Sequence, residues 1–169
     1  MDQSSIIQLI VLIILLILSG FFSSAETALT TVNKISLMAL ANDGSKSAKH
    51  TLKVIENSSK LLSTILIGNN VVNISASALT TTLCTKLFGS ALVGISTGIL
   101  TLVILVFGEI TPKTLAKKYS TQLAQVFSYP IGLLMVILTP FVWLLNIITE
   151  AIFFILRIIS LMKKNAILQ

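Results

Sequence analysis

Long runs of apolar residues restrict this chain to one kind of fold. Ile6 to Leu18 is almost unbroken aliphatic, Leu92 to Phe107 carries no charge, and Val126 to Ile159 is long enough for a tilted bilayer crossing. Backbone N–H and C=O groups inside hydrocarbon must find partners within the protein, and a continuous apolar run finds them as a helix. Only 11% of the 169 residues are charged and 54% are hydrophobic, whereas soluble domains carry roughly a quarter charged residues. A soluble core could not hide this much apolar surface. The reading is an all-α integral membrane protein.

Other classes fall away. The net charge of +6 is spread through loops and not massed with aromatics. It therefore reads as topology signals facing anionic lipid, and not as a nucleic-acid footprint. Cys84 is the sole cysteine and His50 the sole histidine, which leaves no disulfide framework and no basis for a zinc or copper site. An intramembrane enzyme would want a base beside a nucleophile, and His50 lies in a polar loop. The protein is read as not an enzyme.

Topology follows from the charges. Residues 1–5 hold Asp2 and no Lys or Arg, while Lys34 follows the first apolar stretch. A cleaved signal would start basic; the preferred reading is a first membrane helix, 6–31, with its N-terminus outside. Segment 33–60 carries Lys34, Lys46, Lys49, Lys53 and Lys60 against Asp43 and Glu56, which assigns it to the cytoplasm. Within it, Asn42 to Ser45 is a turn signal, and Leu52 and Ile55 mark a short amphipathic helix at the membrane surface. Segments 61–87 and 91–112 form the second and third spans. Gly94 and Gly98 give a packing or dimerisation spacing. Basic residues flank both ends of 126–159: Lys113, Lys117 and Lys118 before, Arg157, Lys163 and Lys164 after. A single crossing would put one cluster outside. The segment is thus read as a re-entrant or interfacial helical hairpin at the inner leaflet, divided by Pro130 and Pro140 and breaking near Thr139-Pro140. Its C-terminus is cytoplasmic. The alternative is a fourth span. Glu150 reads as an interfacial charge.

Three polar stretches interrupt the spans. Ser19, Ser23, Glu26 and Thr30 are spaced by four, three and four, which places them on one helix face. Asn69 and Asn73 share a face with Ser77 and Thr80, while Asn70 points elsewhere. Glu109 ends the apolar run from Leu92, and Pro112 follows it. Proline has no N–H, so the carbonyl four residues back, that of Gly108, is expected to lose its partner. Glycine leaves that oxygen open to a ligand. Each stretch also has an ordinary reading. Serine and threonine bond back to their own helix, asparagine glues helices together, and a glutamate at a kinked helix end snorkels to the interface. Together they supply only oxygen donors. Oxygen coordination with one carboxylate points to a small hard cation, magnesium first and sodium second. One difficulty is depth: Ser19 to Ser23 is expected near mid-bilayer and Glu109 nearer the cytoplasm.

The stretches Ser19-Gly20-Phe21-Phe22-Ser23, Gly68-Asn69-Asn70-Val71-Val72-Asn73 and Gly108-Glu109-Ile110-Thr111-Pro112-Lys113 resemble, in order and spacing, the signatures of the CorC and cyclin M (CNNM) magnesium transporter family. The resemblance covers most of the chain. It implies a homodimer in the plasma (inner) membrane, each protomer with three spanning helices and a juxtamembrane belt. It implies an inward-facing acidic cavity binding Mg2+ through residues matching Ser19, Ser23, Asn69 or Asn73, the Gly108 region and Glu109. Asn70, Glu26 and Pro112 are supporting candidates. It further implies Mg2+ export, with Na+ coupling proposed. Family members usually continue into cytosolic CBS modules, which this sequence lacks, so it looks like the membrane domain alone. A sensor or scaffold that binds Mg2+ without flux is the alternative. Cysteines replacing Lys118 and Lys163 should both be labelled only from the cytoplasmic side, and labelling from opposite sides would restore a fourth span.

Overall fold

The computed structural model describes residues 3–167, with side chains described as far as Phe154 except at Ser90 and Ala151. Asp2, residues 168–169 and the side chains of Arg157, Lys163 and Lys164 lie outside that description. The described residues contain helices and no strand. In order they are α1 (Gln3–Thr31), α2 (Lys34–Asn42), α3 (Lys46–Glu56), α4 (Ser58–Phe88), a 3-10 turn (Ser90–Leu92), α5 (Val93–Val103), a π-helical segment (Ile104–Ile110), α6 (Thr111–Lys118), α7 (Ser120–Ile137) and α8 (Thr139–Ile167). By length and apolarity, α1, α4, the continuous run Val93–Lys118 and α7 could each cross a membrane.

The first helix has two halves with different surroundings. From Ile6 to Leu18 most large aliphatics are exposed, which suits lipid contact. Apart from Ser5, burial begins at Ser19 and continues through Phe22, Ser23, Ala25, Ala28 and Leu29. That second half packs against α4, the π segment, α6 and α7. Small side chains make the approach possible: Ala25 and Ala28 on α1, Ala116 on α6 and Ala124 on α7 are all fully buried. Membrane helices lack a hydrophobic drive toward each other, and small residues let their backbones come close enough for dispersion to act.

The helices α1 and α4 run antiparallel. Lys86 donates to Ser4 Oγ at 3.3 Å near one end, and Ser19 bonds Asn73 further along. Gly68 faces the Phe22 ring so closely that any β-carbon there would overlap ring atoms.

The polar segment after α1 folds because its asparagines and serines fall at helix starts. Asn33 caps α2 by accepting from Ile35 N–H at 2.9 Å, Ser45 caps α3 through Ala48 N–H, and Asn57 caps α4 through Lys60 N–H at 3.2 Å. The expected turn forms with Gly44 at φ +96°, a conformation glycine adopts without a steric penalty.

The amphipathic helix α3 does not lie on the membrane alone. Ser47 donates to Gln125 Oε1 at 2.6 Å, Thr51 donates to Ser128 Oγ at 3.1 Å, and the His50 ring stacks on Tyr129 at 4.5 Å. Ile55 is buried, so part of the apolar face meets protein. In the C-terminal region the chain breaks at Leu138, between α7 and α8, next to Thr139-Pro140. Pro130 does not divide the segment; it sits inside α7.

Gly68→Ala should lower stability by about 1–3 kcal/mol, because buried Phe22 must move to admit a methyl group. Gly94→Ala, with open space around it, should change stability by less than about 0.5 kcal/mol. Thermal unfolding in detergent measures both.

Candidate cation site

The serine stripe of α1 divides by chemistry. Thr27 and Thr30 return their hydroxyls to the carbonyls of Ser23 and Glu26, the ordinary behaviour of threonine in a helix. Ser19 and Ser23 behave otherwise. Ser19 Oγ donates across the interface to Asn73 Oδ1 at 2.8 Å. Ser23 Oγ is buried with no hydrogen-bond partner.

The asparagines divide in the same way. Asn73 accepts from Ser19, Asn69 Oδ1 is buried without a partner, and Asn70 is exposed. In the antiparallel register that pairs Ser19 with Asn73, moving four residues along each helix pairs Ser23 with Asn69. The two orphaned oxygens therefore lie about one helical turn from the Ser19–Asn73 bond, on the same interface. Unpartnered buried polar atoms are uncommon, and each calls for an explanation such as an ion or water. Thr64 Oγ1 and Gln8 Oε1 share this condition elsewhere in the chain. Thr80, two turns along α4 from Asn73, donates its hydroxyl to the Ala76 carbonyl.

The third wall is the π segment. A β-carbon built on Gly108 would sit 3.0 Å from Ser19 Oγ, so Gly108 and Ser19 are nearly in contact. The Gly108 backbone is level with Ser19, while the Glu109 carboxylate is held by Lys113 beside Glu26, which lies two helical turns along α1 from Ser19. One detail of the sequence reading changes. Thr111 N–H bonds the Val106 carbonyl, five residues back. Continued by one residue, that register makes Phe107, and not Gly108, the carbonyl that Pro112 cannot serve. The Phe107 oxygen lies 3.6 Å from a β-carbon built on Gly20, and Pro112 Cγ lies 3.4 Å from the same point. Gly20 thus leaves room for both. Sequence spacing missed this because it assumed four-residue bonding; single π turns inside α-helices frequently mark functional sites.

The charged residues form one cluster. Lys113 Nζ lies 3.0 Å from Glu109 Oε1 and 3.4 Å from Glu26 Oε2, which links the end of the π segment to α1. The three side chains are between 36% and 42% exposed, so the cluster opens to solvent. Among the described residues no hydrogen bond joins Glu109 to Ser19, Ser23, Asn69 or Asn73, and no three His, Cys, Asp or Glu side chains converge. A cation here would depend on neutral oxygens with one or two carboxylates. Glu150 on α8 is exposed, apart from this cluster. Sequence reasoning left Lys113 out, although its place four residues after Glu109 was the available signal.

Structure and sequence thus define an all-helical membrane domain in which α1 and α4 share a polar interface and the π segment packs beside Ser19. The profile of the "Cyclin M transmembrane N-terminal domain" family, CNNM, matches residues 10–168, and the chain belongs to that family. It is 45% identical over 158 residues to a UPF0053 protein of Haemophilus influenzae, covering 94% of this chain and 38% of that protein. The UPF0053 inner membrane protein YfjD of Escherichia coli is 44% identical over 133 residues, 79% of this chain and 31% of the relative. A chloroplastic DUF21 domain-containing protein of Arabidopsis thaliana is 39% identical over 133 residues, 79% of this chain and 20% of its own length. The chain spans well under half the length of these relatives.

Without Mg2+, Ser23→Ala should leave unfolding stability unchanged or raise it by up to about 2 kcal/mol, since it removes a buried group that has no partner. Ser19→Ala should lower it by about 1–2 kcal/mol by stranding Asn73 Oδ1. Thermal unfolding in detergent with a chelator distinguishes the two.

Proposed function

We propose that this chain is a magnesium-transporting membrane domain. Its ion would be held between α1, α4 and the π segment by oxygens of Ser19, Ser23, Asn69, Asn73 and the Gly108 region, with Glu109 supplying charge. Glu26, Asn70 and Pro112 have supporting roles. The observation that carries the reading is the pair of orphaned oxygens, Ser23 Oγ and Asn69 Oδ1, buried at one interface beside the Ser19–Asn73 bond. A folded protein leaves such atoms unpaired at a cost, and a cation would satisfy both. Oxygen-only donors suit Mg2+ and, less well, Na+.

Mg2+ sheds water reluctantly, so a site of this kind needs donors fixed in advance. The Ser19–Asn73 bond fixes two. The π segment offers a wider backbone whose hydrogen bonds are less regular, and this suits an element that must rearrange to release the ion. In our reading export runs from the cytoplasm outward, with Na+ as the coupling ion.

The architecture in this reading has three spans, from α1, α4 and the Val93–Lys118 run, with α7 and α8 as a belt at the inner leaflet. Support comes from α3, which carries Lys46, Lys49 and Lys53 and contacts α7 from Gln125 to Gly132. A segment held against a lysine-bearing helix is poorly placed to cross hydrocarbon. The N-terminus is then outside and the C-terminus cytoplasmic, in the plasma (inner) membrane. The protein acts as a homodimer; α5 buries no residue, and Gly94 and Gly98 are open for a second copy. A cytosolic CBS-type regulatory module would follow in a full-length protein.

The second reading, a Mg2+ sensor or scaffold for such a module, draws on the chain covering only 38% of its Haemophilus relative. Liposome reconstitution separates the two: transport gives Mg2+ flux that Glu109→Ala abolishes, while a sensor binds without flux. In calorimetry, Glu109→Gln should weaken Mg2+ binding at least about tenfold, whereas Glu150→Gln should leave it unchanged. Equal affinities for the two variants would remove Glu109 from the site.

A further inference from the structure

A lysine four residues after a glutamate is ordinary on a helix surface and contributes little. Lys113 differs because the same ammonium also reaches Glu26 on another helix, at 3.4 Å beside its 3.0 Å contact with Glu109. Its charge therefore stands where two carboxylates from α1 and the π segment converge.

We propose that Lys113 is a tethered, exchangeable cation: it neutralises Glu109 when no ion is bound, and an entering divalent cation displaces it onto Glu26 alone. The inference rests on the cation-site reading given above. Its logic is electrostatic. Two carboxylates and one ammonium leave a net charge of minus one. A divalent ion sharing Glu109 with the ammonium would meet a like charge a few ångströms away, so one of them must leave. Lysine suits this role because its charge sits on a flexible four-carbon stem with three rotatable donors, whereas a planar guanidinium would be held in its fork. Glu26 gives the displaced ammonium a second partner, so ion entry does not strand it.

Discrimination follows from the same exchange. A monovalent ion that displaces the ammonium replaces one positive charge with one positive charge at Glu109. A divalent ion adds one. Lys113 thus raises the threshold for sodium more than for magnesium, and it also provides an internal competitor that returns to Glu109 as the ion departs.

The test is a double-mutant cycle by calorimetry with MgCl2, using the whole chain in detergent. Lys113→Met should bind Mg2+ about tenfold more tightly, as expected when two competing ion pairs are removed. Glu26→Gln should weaken binding about tenfold while Lys113 is present, and by less than about twofold in the Lys113→Met background. Lys113→Gln is measured in parallel, so that a misfolded methionine variant does not end the test. If Lys113 variants bind no more tightly, or if Glu26→Gln weakens binding equally in both backgrounds, Glu26 acts on the ion directly and the exchange is overturned. If the unsubstituted chain binds no Mg2+, the cation-site reading fails, and this inference with it. Binding that is lost in Glu109→Gln but unaltered in Lys113→Met removes the exchange alone.

Discussion

From Ser19 onward, the first helix turns hydroxyl groups toward a medium that cannot solvate them unless protein covers them. That requirement organises the rest. Antiparallel α4 supplies asparagines, the π segment brings Gly108 against Ser19, and α6 and α7 pack their alanines against the same half of α1. The half from Ile6 to Leu18 is mostly aliphatic and largely exposed, with Gln8 its one polar side chain before Ser19. Packing here is therefore dictated by where polar atoms can be tolerated more than by where apolar ones can be hidden.

Two sets of polar side chains between helices differ in how fully they are satisfied. One joins α3 to α7 through Ser47–Gln125, Thr51–Ser128 and the His50–Tyr129 stack. Each of these hydroxyls is satisfied, and the set reads as construction. The other lies between α1, α4 and the π segment, where Ser23 and Asn69 are left without partners.

Much of this could be seen in the sequence. Helix ends at Thr31 and Phe88 lie close to the polarity changes that predicted them, and Thr139-Pro140 marks the C-terminal break because proline fits the first turn of a new helix. Pro130 misled for a local reason: α7 continues past it, so a missing N–H alone did not end the helix. Ile55 is expected at the membrane surface but is buried in protein, because amphipathicity reports that a face is apolar and not what covers it. Spacing rules assume four-residue bonding and so place the bond missing at Pro112 on Gly108, whereas Thr111 already bonds five residues back, to Val106. Lys113 was missed because its contact with Glu26 is tertiary, 87 positions apart in the chain by the difference 113 − 26.

The π segment also explains how one continuous run can serve two environments. Each residue of an α-helix turns the chain by about 100°, and five-residue bonding absorbs a surplus residue without breaking the rod. The faces before and after Ile104–Ile110 are therefore out of phase. Helix α5 can present Ile95, Ile99 and Leu102 outward with nothing buried, while α6 directs Ala116 into the core. Removing one residue from that segment would restore four-residue bonding and turn the residues after it by about 100° relative to those before it.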